Sequence, residues 1–328
     1  MKRPLIFFLV ICLLGIGGYL WYANARTYPV SYGVHFSKSQ AMWLGLDWRQ
    51  SYRAILDDLH PPYLRLVSFW NEIEPKRGRY DFVDLDWQMA EARRRGVKVT
   101  LVVGQKQPRW PECHIPEWAM NQGVGSKDEF FGYVKRVVER YRKHPALEIW
   151  QVENEPFIRF SFGECDAYHP EWVVDEIALV RSLDPDHKIL VTDSGELSSW
   201  RRAIRAGDYF GTTVYRAVRR SSGWVWTYDW LPAIAYRWKA KILGRDMSTV
   251  FVSELQAEPW LAEGNPKDVP NEDQMKTMSP ARFKKNIDYV RHIGVPRAYL
   301  WGTEWWYMMK AKKSDSRYWD MARESMSR

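Results

Sequence analysis

The sequence predicts an α/β fold in which eight parallel strands, each followed by a helical crossover, close into a (β/α)8 TIM barrel behind an N-terminal transmembrane or signal helix. Three observations predict it. Short β-branched or apolar runs alternate with amphipathic segments through the chain after residue 26. Eight such units can be counted, and no glycine-rich phosphate loop follows the first run, which favours a closed barrel over an open doubly wound sheet. The chain has 328 residues, 46% of them hydrophobic and 27% charged, enough for one large core. Residues 1–26 are therefore set apart as a membrane anchor or signal peptide, and 27–328 as one barrel domain.

The leading segment is read from its charge and length. Lys2 and Arg3 precede an uncharged apolar run over 5–21, close to the length that crosses a bilayer. Positive charge before it keeps the N-terminus cytoplasmic and exports the rest. Ala23-Asn24-Ala25 also fits a small-x-small cleavage site, so a removable signal peptide stands as the alternative. Either route places residues from about Thr27 onward outside the cytoplasm, anchored or secreted. Export permits disulfides, and Cys113 and Cys165, in loops expected after neighbouring strands, are a candidate pair; two free buried thiols are the other reading.

Strands are expected over 32–36, 63–69, 97–103, 147–152, 188–192, 208–215, 249–253 and 297–301. The clearest helices are expected over 82–95, 127–143, 171–183, 280–292 and 317–326, each with apolar positions at helical spacing. Gly96 and Gly294 follow two of these helices, where a left-handed turn reverses the chain into the sheet. The stretch 216–245, with Trp224, Trp226 and Trp230, reads as an elaborated loop over the barrel mouth.

Composition narrows the function classes. The formal charge of +8 comes from Lys and Arg scattered along the chain, which gives no nucleic-acid footprint. No His pair has metal-ligand spacing on one element, and no Gly-x-Ser-x-Gly turn offers a serine nucleophile, so neither a metal nor a cofactor is called for. The 19 Trp are more than a barrel core needs. Aromatic planes stack on the C–H faces of sugars, so a carbohydrate ligand is one use for them and core packing is the other. Trp110, Trp118, Trp260, Trp305 and Trp306 are open between these uses.

Barrel enzymes place their chemistry at the C-terminal ends of strands. The fourth strand candidate runs into Glu153-Asn154-Glu155-Pro156, and the seventh into Ser253-Glu254-Leu255. Asn154-Glu155-Pro156 with a glutamate on the seventh strand resembles clan A of the glycoside hydrolases, a cellulase-like or family 5-like barrel, over nearly the whole exported region. The stretch Trp70-Asn71-Glu72-Ile73-Glu74-Pro75 with Gly78-Arg79-Tyr80-Asp81-Phe82 is similar to the second-unit loop of several clan members, and Trp70 is taken from it as a substrate-binding candidate. The resemblance implies Glu155 as acid/base, Glu254 as nucleophile, Asn154 on the substrate 2-hydroxyl and Trp301 as the platform beneath the sugar. Gln105 departs from the histidine often found there in the largest clan family.

Chemistry explains the pair independently. Glycoside cleavage needs a proton for the departing oxygen and an electron pair for the oxocarbenium-like centre, which one acid cannot supply at once. A nucleophilic carboxylate must stay ionised, and Arg65 and Tyr215 are the candidates to hold it, in places similar to the clan's arginine and tyrosine. Arg65 could instead be a structural ion-pair partner. His35 and Gln105, at two further strand ends, are candidates for sugar hydroxyls. Glu258 and Glu304 compete with Glu254, while Glu153, Glu72 and Glu74 read as structural or subsite residues. The expected function is retaining hydrolysis of a β-linked oligo- or polysaccharide by a monomer. A transglycosylase or a catalytically silent glycan-binding barrel is the alternative.

Overall fold

The computed structural model describes residues 18, 22, 24–120, 126–158, 160 and 163–327. The apolar run 5–21 lies outside these apart from Gly18. Among the described residues no helix is long and apolar enough to cross a membrane.

The eight expected strands form, with small shifts at their ends. They are β1 (Ser31–His35), β2 (Tyr63–Val67), β3 (Lys98–Val103), β4 (Leu147–Val152), β5 (Lys188–Asp193), β6 (Tyr209–Val214), β9 (Val250–Gln256) and β10 (Arg297–Trp301). Between β6 and β9 the stretch expected as a mouth loop holds a two-stranded antiparallel hairpin, β7 (Ala217–Arg219) with β8 (Val225–Thr227). The barrel closes in the order β1-β10-β9-β6-β5-β4-β3-β2, and every pairing in it is parallel.

Helices α1 (Val83–Arg94), α2 (Lys127–Tyr141), α3 (Val173–Leu183), α4 (Ile234–Ile242), α5 (Pro280–Ile293), α6 (Thr303–Lys312) and α7 (Arg317–Met326) are among those around it. Local chemistry sets their ends. Ser126 and Glu129 make a reciprocal capping box at the start of α2. Ser279 caps α5, Pro280 takes its first position, and Gly294 ends it at φ 86°. Gly96, at φ 69°, makes the corresponding turn after α1.

Strand alternation divides the apolar residues between two cores. Leu64, Leu66, Val99, Leu101, Trp150 and Val252 face the helices and join one large cluster. Inside the barrel, Ile149, Leu190 and Phe251 form a small cluster. Below it the Arg297 guanidinium lies over the Tyr63 ring at 3.4 Å and pairs with Glu148 at 2.7 Å. Above it the interior turns polar, beginning with Thr100 and Tyr299 at 2.7 Å.

One strand is irregular where chemistry was expected. Thr212 and Thr213 of β6 pair with Val252 and Glu254, so Ser253 is an extra residue, and the β10 register shifts over the same stretch. A bulge of this kind bends the strand and re-aims the next side chain. Glu254 therefore sits within β9, not beyond the strand end at Ser253 that the sequence suggested.

Cys113 and Cys165 are joined by a disulfide, with Cα atoms 5.1 Å apart, tying the loop after β3 to the loop after β4. The bond closes a loop with a sequence separation of 52, which restricts the unfolded chain by up to about 4 kcal/mol in the loop-entropy description. Replacing both cysteines by serine is expected to lower thermal stability by several degrees without changing the far-ultraviolet circular dichroism, which a thermal melt of both proteins measures.

Candidate active site

At the C-terminal end of the barrel the strands and their loops enclose a cleft of about 490 Å³, with Asn154, Glu155, Tyr215, Glu254, Trp260 and Trp301 among its walls. Its floor is organised by Arg65, which is fully buried on β2. The Arg65 Nη1 donates to Glu254 Oε1 at 2.9 Å and to the Ser253 carbonyl at 3.3 Å. Its Nε donates to Gln151 Oε1 at 2.8 Å and its Nη2 to Asn154 Oδ1 at 2.8 Å. The second carboxylate oxygen of Glu254 accepts from the Tyr215 hydroxyl at 2.8 Å. Each oxygen of Glu254 is thus held by a donor.

Asn154 is oriented by the same network. Its Oδ1 also accepts from Thr192 Oγ1 at 3.3 Å, which leaves the amide NH2 as the group that can donate into the cleft. Its backbone N–H donates to the Lys106 carbonyl at 2.7 Å.

Glu155 has a different environment. Its backbone N–H donates to Thr192 Oγ1 at 2.9 Å, and its side chain is only 5% exposed. Burial first, and the charge of Glu254 second, push its carboxyl up to about 8. Two carboxylates in one cleft are therefore differentiated by what surrounds them.

The loop that carries Glu155 is strained. Glu153 and Glu155 both adopt left-handed backbone, at φ 59° and 46°, a conformation costing roughly 1–3 kcal/mol in a non-glycine residue. Glu153 offsets this by accepting the backbone N–H groups of Gln105 and Lys106 at 2.8 and 2.6 Å. Gly104 makes room for it: a Cβ there would stand 2.6 Å from the Glu153 carboxyl carbon. Burial pushes Glu153 up to about 7, and its neighbour Glu176 is raised well above the ordinary carboxyl value by burial and by Glu153.

Several expected site residues lie elsewhere. Trp70 is fully buried, donates to Glu74 Oε2 at 2.9 Å and stacks on Tyr133, so it is a packing residue between helices and not a wall of the cleft. His35 is also fully buried, stacked on Trp301 with ring centroids 4.6 Å apart, and burial and Arg109 hold its imidazole well below its usual value. It supports Trp301 from within the barrel and does not line the cleft. Gln105 is 2% exposed, and its Oε1 accepts from the His169 N–H at 3.3 Å, so it braces the neighbouring loop. Of the tryptophans left open, Trp110 and Trp260 line the cleft, Trp118 donates to the Glu74 carbonyl, and Trp305 and Trp306 are buried.

The competing glutamates prove to be engaged with an arginine that sequence reasoning missed. Arg109 lies over the Trp301 ring at 3.9 Å and pairs with Glu258 and with Glu304, the latter at 2.7 Å. Glu72 pairs with Lys38 at 2.9 Å, and Glu74 accepts from the Gly78 N–H at 2.8 Å. A second missed residue is Glu196, in the loop after β5, which lines the cleft and accepts from the Tyr215 N–H at 3.0 Å and the Tyr236 hydroxyl at 2.6 Å. Burial pushes its carboxyl up to about 7. Its signal was available, since Glu196 follows the fifth strand by only a few residues. Arg109 stands in a loop turn at φ 92°, for which no sequence pattern gave a direction.

Replacing Arg65 by Met would leave Gln151, Asn154 and Glu254 short of a donor inside the barrel. Removing one partner of a buried pair costs about 3–5 kcal/mol, so urea melts are expected to show a loss of that size.

Comparison with known proteins adds to the site. A family model described as β-galactosidase, glycoside hydrolase family 42, matches residues 43–133. A mannan endo-1,4-β-mannosidase of Aspergillus fumigatus is 28% identical over 195 residues, 49% of this chain and 43% of its own length. A mannan endo-1,4-β-mannosidase of Oryza sativa is 29% identical over 145 residues, 37% of this chain and 33% of its own length. The chain thus spans less than half the length of these relatives. Among solved structures, a β-galactosidase from Halorubrum lacusprofundi superposes with a TM-score of 0.59 at 15% identity, covering 91% of this chain and 58% of the other. A GH5_18 protein from Streptomyces cattleya, solved with GlcNAc, gives 0.55 at 16%, covering 84% and 71%. The structural likenesses carry the barrel fold, and the sequence matches support the resemblance to clan A of the glycoside hydrolases.

Proposed function

We propose that this chain, a clan A glycoside hydrolase by resemblance and fold, cleaves β-glycosidic bonds with retention, using Glu254 as nucleophile and Glu155 as acid and base. The observation that carries the reading is the unequal pair of carboxyls. Glu254 has both oxygens held by Arg65 and Tyr215, whereas Glu155 is buried and raised to about 8. The first suits an ionised nucleophile and the second an acid still protonated at neutral pH.

In the first step Glu254 attacks the anomeric carbon while Glu155 gives its proton to the departing oxygen, releasing an alcohol and leaving a glycosyl ester. The negative charge of Glu254 is consumed by that bond. Its raising influence on Glu155 disappears, so Glu155, now ionised, is suited to take a proton from water as the water attacks the ester. The Asn154 NH2 would donate to a hydroxyl beside the reacting carbon. The activities of these relatives make β-1,4-mannan and β-galactosides the first substrates to test.

The same reading includes an extracytoplasmic, membrane-tethered enzyme. Lys2 and Arg3 ahead of the apolar run 5–21 support the tether, and the Cys113–Cys165 bond suits an oxidising compartment.

With mannan oligosaccharides and aryl β-glycosides as substrates, Glu155→Gln is expected to lower kcat by about 10²- to 10⁴-fold, and Glu254→Gln to abolish turnover. Proton NMR of the first product should show the β-anomer; an α-anomer appearing first would sink the double displacement. Equal glycan binding by all three proteins with turnover by none would leave a glycan-binding barrel instead. Because the protonated form of Glu155 does the work in the first step, kcat/KM should fall as pH rises through about 8, and that alkaline limb should vanish in Glu155→Gln.

A further inference from the structure

The described chain joins the barrel along the flank made by α4 and α5, and its course there has a direction. The Tyr28 N–H donates to the Arg291 carbonyl at 2.8 Å, near the end of α5 and just before β1. The Arg26 carbonyl lies 3.2 Å from His292 Nδ1, and Asn24 Oδ1 accepts from the Ile234 N–H at 3.3 Å, at the start of α4. Helix α4 follows the C-terminal end of β6 and leads to the beginning of β9, so it runs from the barrel mouth to its base. Traced backward from Tyr28 to Asn24, the chain therefore climbs from base toward mouth. Asn24 thus meets the barrel beside the end of the excursion 215–233, and the apolar segment 5–21 precedes it in the sequence.

That excursion has the surface chemistry of a membrane interface. Trp224 is 58% exposed and Trp230 is 68% exposed, and Arg220 is exposed near the hairpin tip. Across 215–233 the chain carries the buried Arg216, the cleft-lining Arg219 and the exposed Arg220 against a single acid, Asp229, which is itself paired with Arg282 and Lys285. Tryptophan at headgroup level and basic side chains beside anionic lipid are the two features that hold a protein surface on a bilayer.

We propose that the excursion 215–233 rests on the headgroup layer of the membrane into which the N-terminal segment inserts, so that the cleft opens beside the bilayer. This rests on the membrane-tether reading given above. Val218, Arg219 and Tyr228 of the same excursion line the cleft, which makes the lipid-facing surface and one wall of the cleft a single structural unit. A glycan reaching that wall does so at headgroup height.

The test uses the full chain in vesicles of phosphatidylcholine and phosphatidylglycerol. In a Cys12→Ser background, a nitroxide is placed on Ser222→Cys, and in a second protein on Glu139→Cys, on α2 across the barrel. Collision with a water-soluble nickel chelate and with lipid-soluble oxygen is then compared. The Ser222 label is expected to lose nickel access and gain oxygen access relative to the Glu139 label, and Trp224→Ser with Trp230→Ser should restore nickel access. Equal nickel access at both positions, in protein that resists carbonate extraction, overturns the inference while leaving the tether intact. Extraction of the chain by carbonate overturns both. Protection of Ser222 by a manno-oligosaccharide in detergent, with none from vesicles, overturns it by assigning these tryptophans to glycan.

Discussion

The mouth of this barrel is built on one buried guanidinium. Arg65 has no exposure to solvent, and an uncompensated buried charge costs several kcal/mol, so its donors must all be used. They reach Gln151 and Asn154 from the β4 side and Ser253 and Glu254 from β9, two strands separated in the barrel by β5 and β6. Satisfying one cation therefore fixes a carboxylate, an amide and two strands at once. Gln151 passes the constraint on by donating from Nε2 to the Glu153 carbonyl at 2.8 Å, which links the cation to the strained loop carrying Glu155.

The difference between Glu155 and Glu254 follows from this arrangement. Donors converge on Glu254 and its charge then acts on the buried Glu155. The left-handed backbone at Glu153 and Glu155 persists because the surrounding contacts over-determine it, with two amides on the Glu153 carboxyl and a hydroxyl beneath the Glu155 amide. Strain and charge are held in place by these contacts.

Much of this was legible in the sequence because strands alternate with a period of two and barrel sites gather at strand ends. That logic located the eight strands and the strand-end glutamates Glu155 and Glu254; the resemblance to clan A added Asn154, Arg65 and Tyr215, and Asn154, Glu155, Tyr215 and Glu254 line one cleft with Arg65 buried beneath it. It failed where depth, not position along the strand, decides exposure. His35 stands at a strand end as expected, but Trp301 covers it. Trp70 follows a strand and turns outward against Tyr133, a contact between residues 63 positions apart in the chain. Arg109 was invisible for a related reason: its place over Trp301 depends on Glu258, in the loop after β9, and Glu304, in the first turn of α6.

The extra residue in β9 has a consequence for how this barrel can change over evolutionary time. Val252 faces the helices and Glu254 pairs with Thr213, so deleting Ser253 would leave Glu254 directly after an outward residue, still facing the interior in a regular ladder. What would be lost is the Ser253 carbonyl that accepts from Arg65. A single-residue insertion or deletion in the regular part of β9 before Glu254 would instead turn its side chain to the other face, so the bulge is where this strand can change length and keep the carboxylate inside. The hairpin of β7 and β8, which forms its own small sheet outside the barrel ladder, has freedom to lengthen, shorten or exchange its side chains.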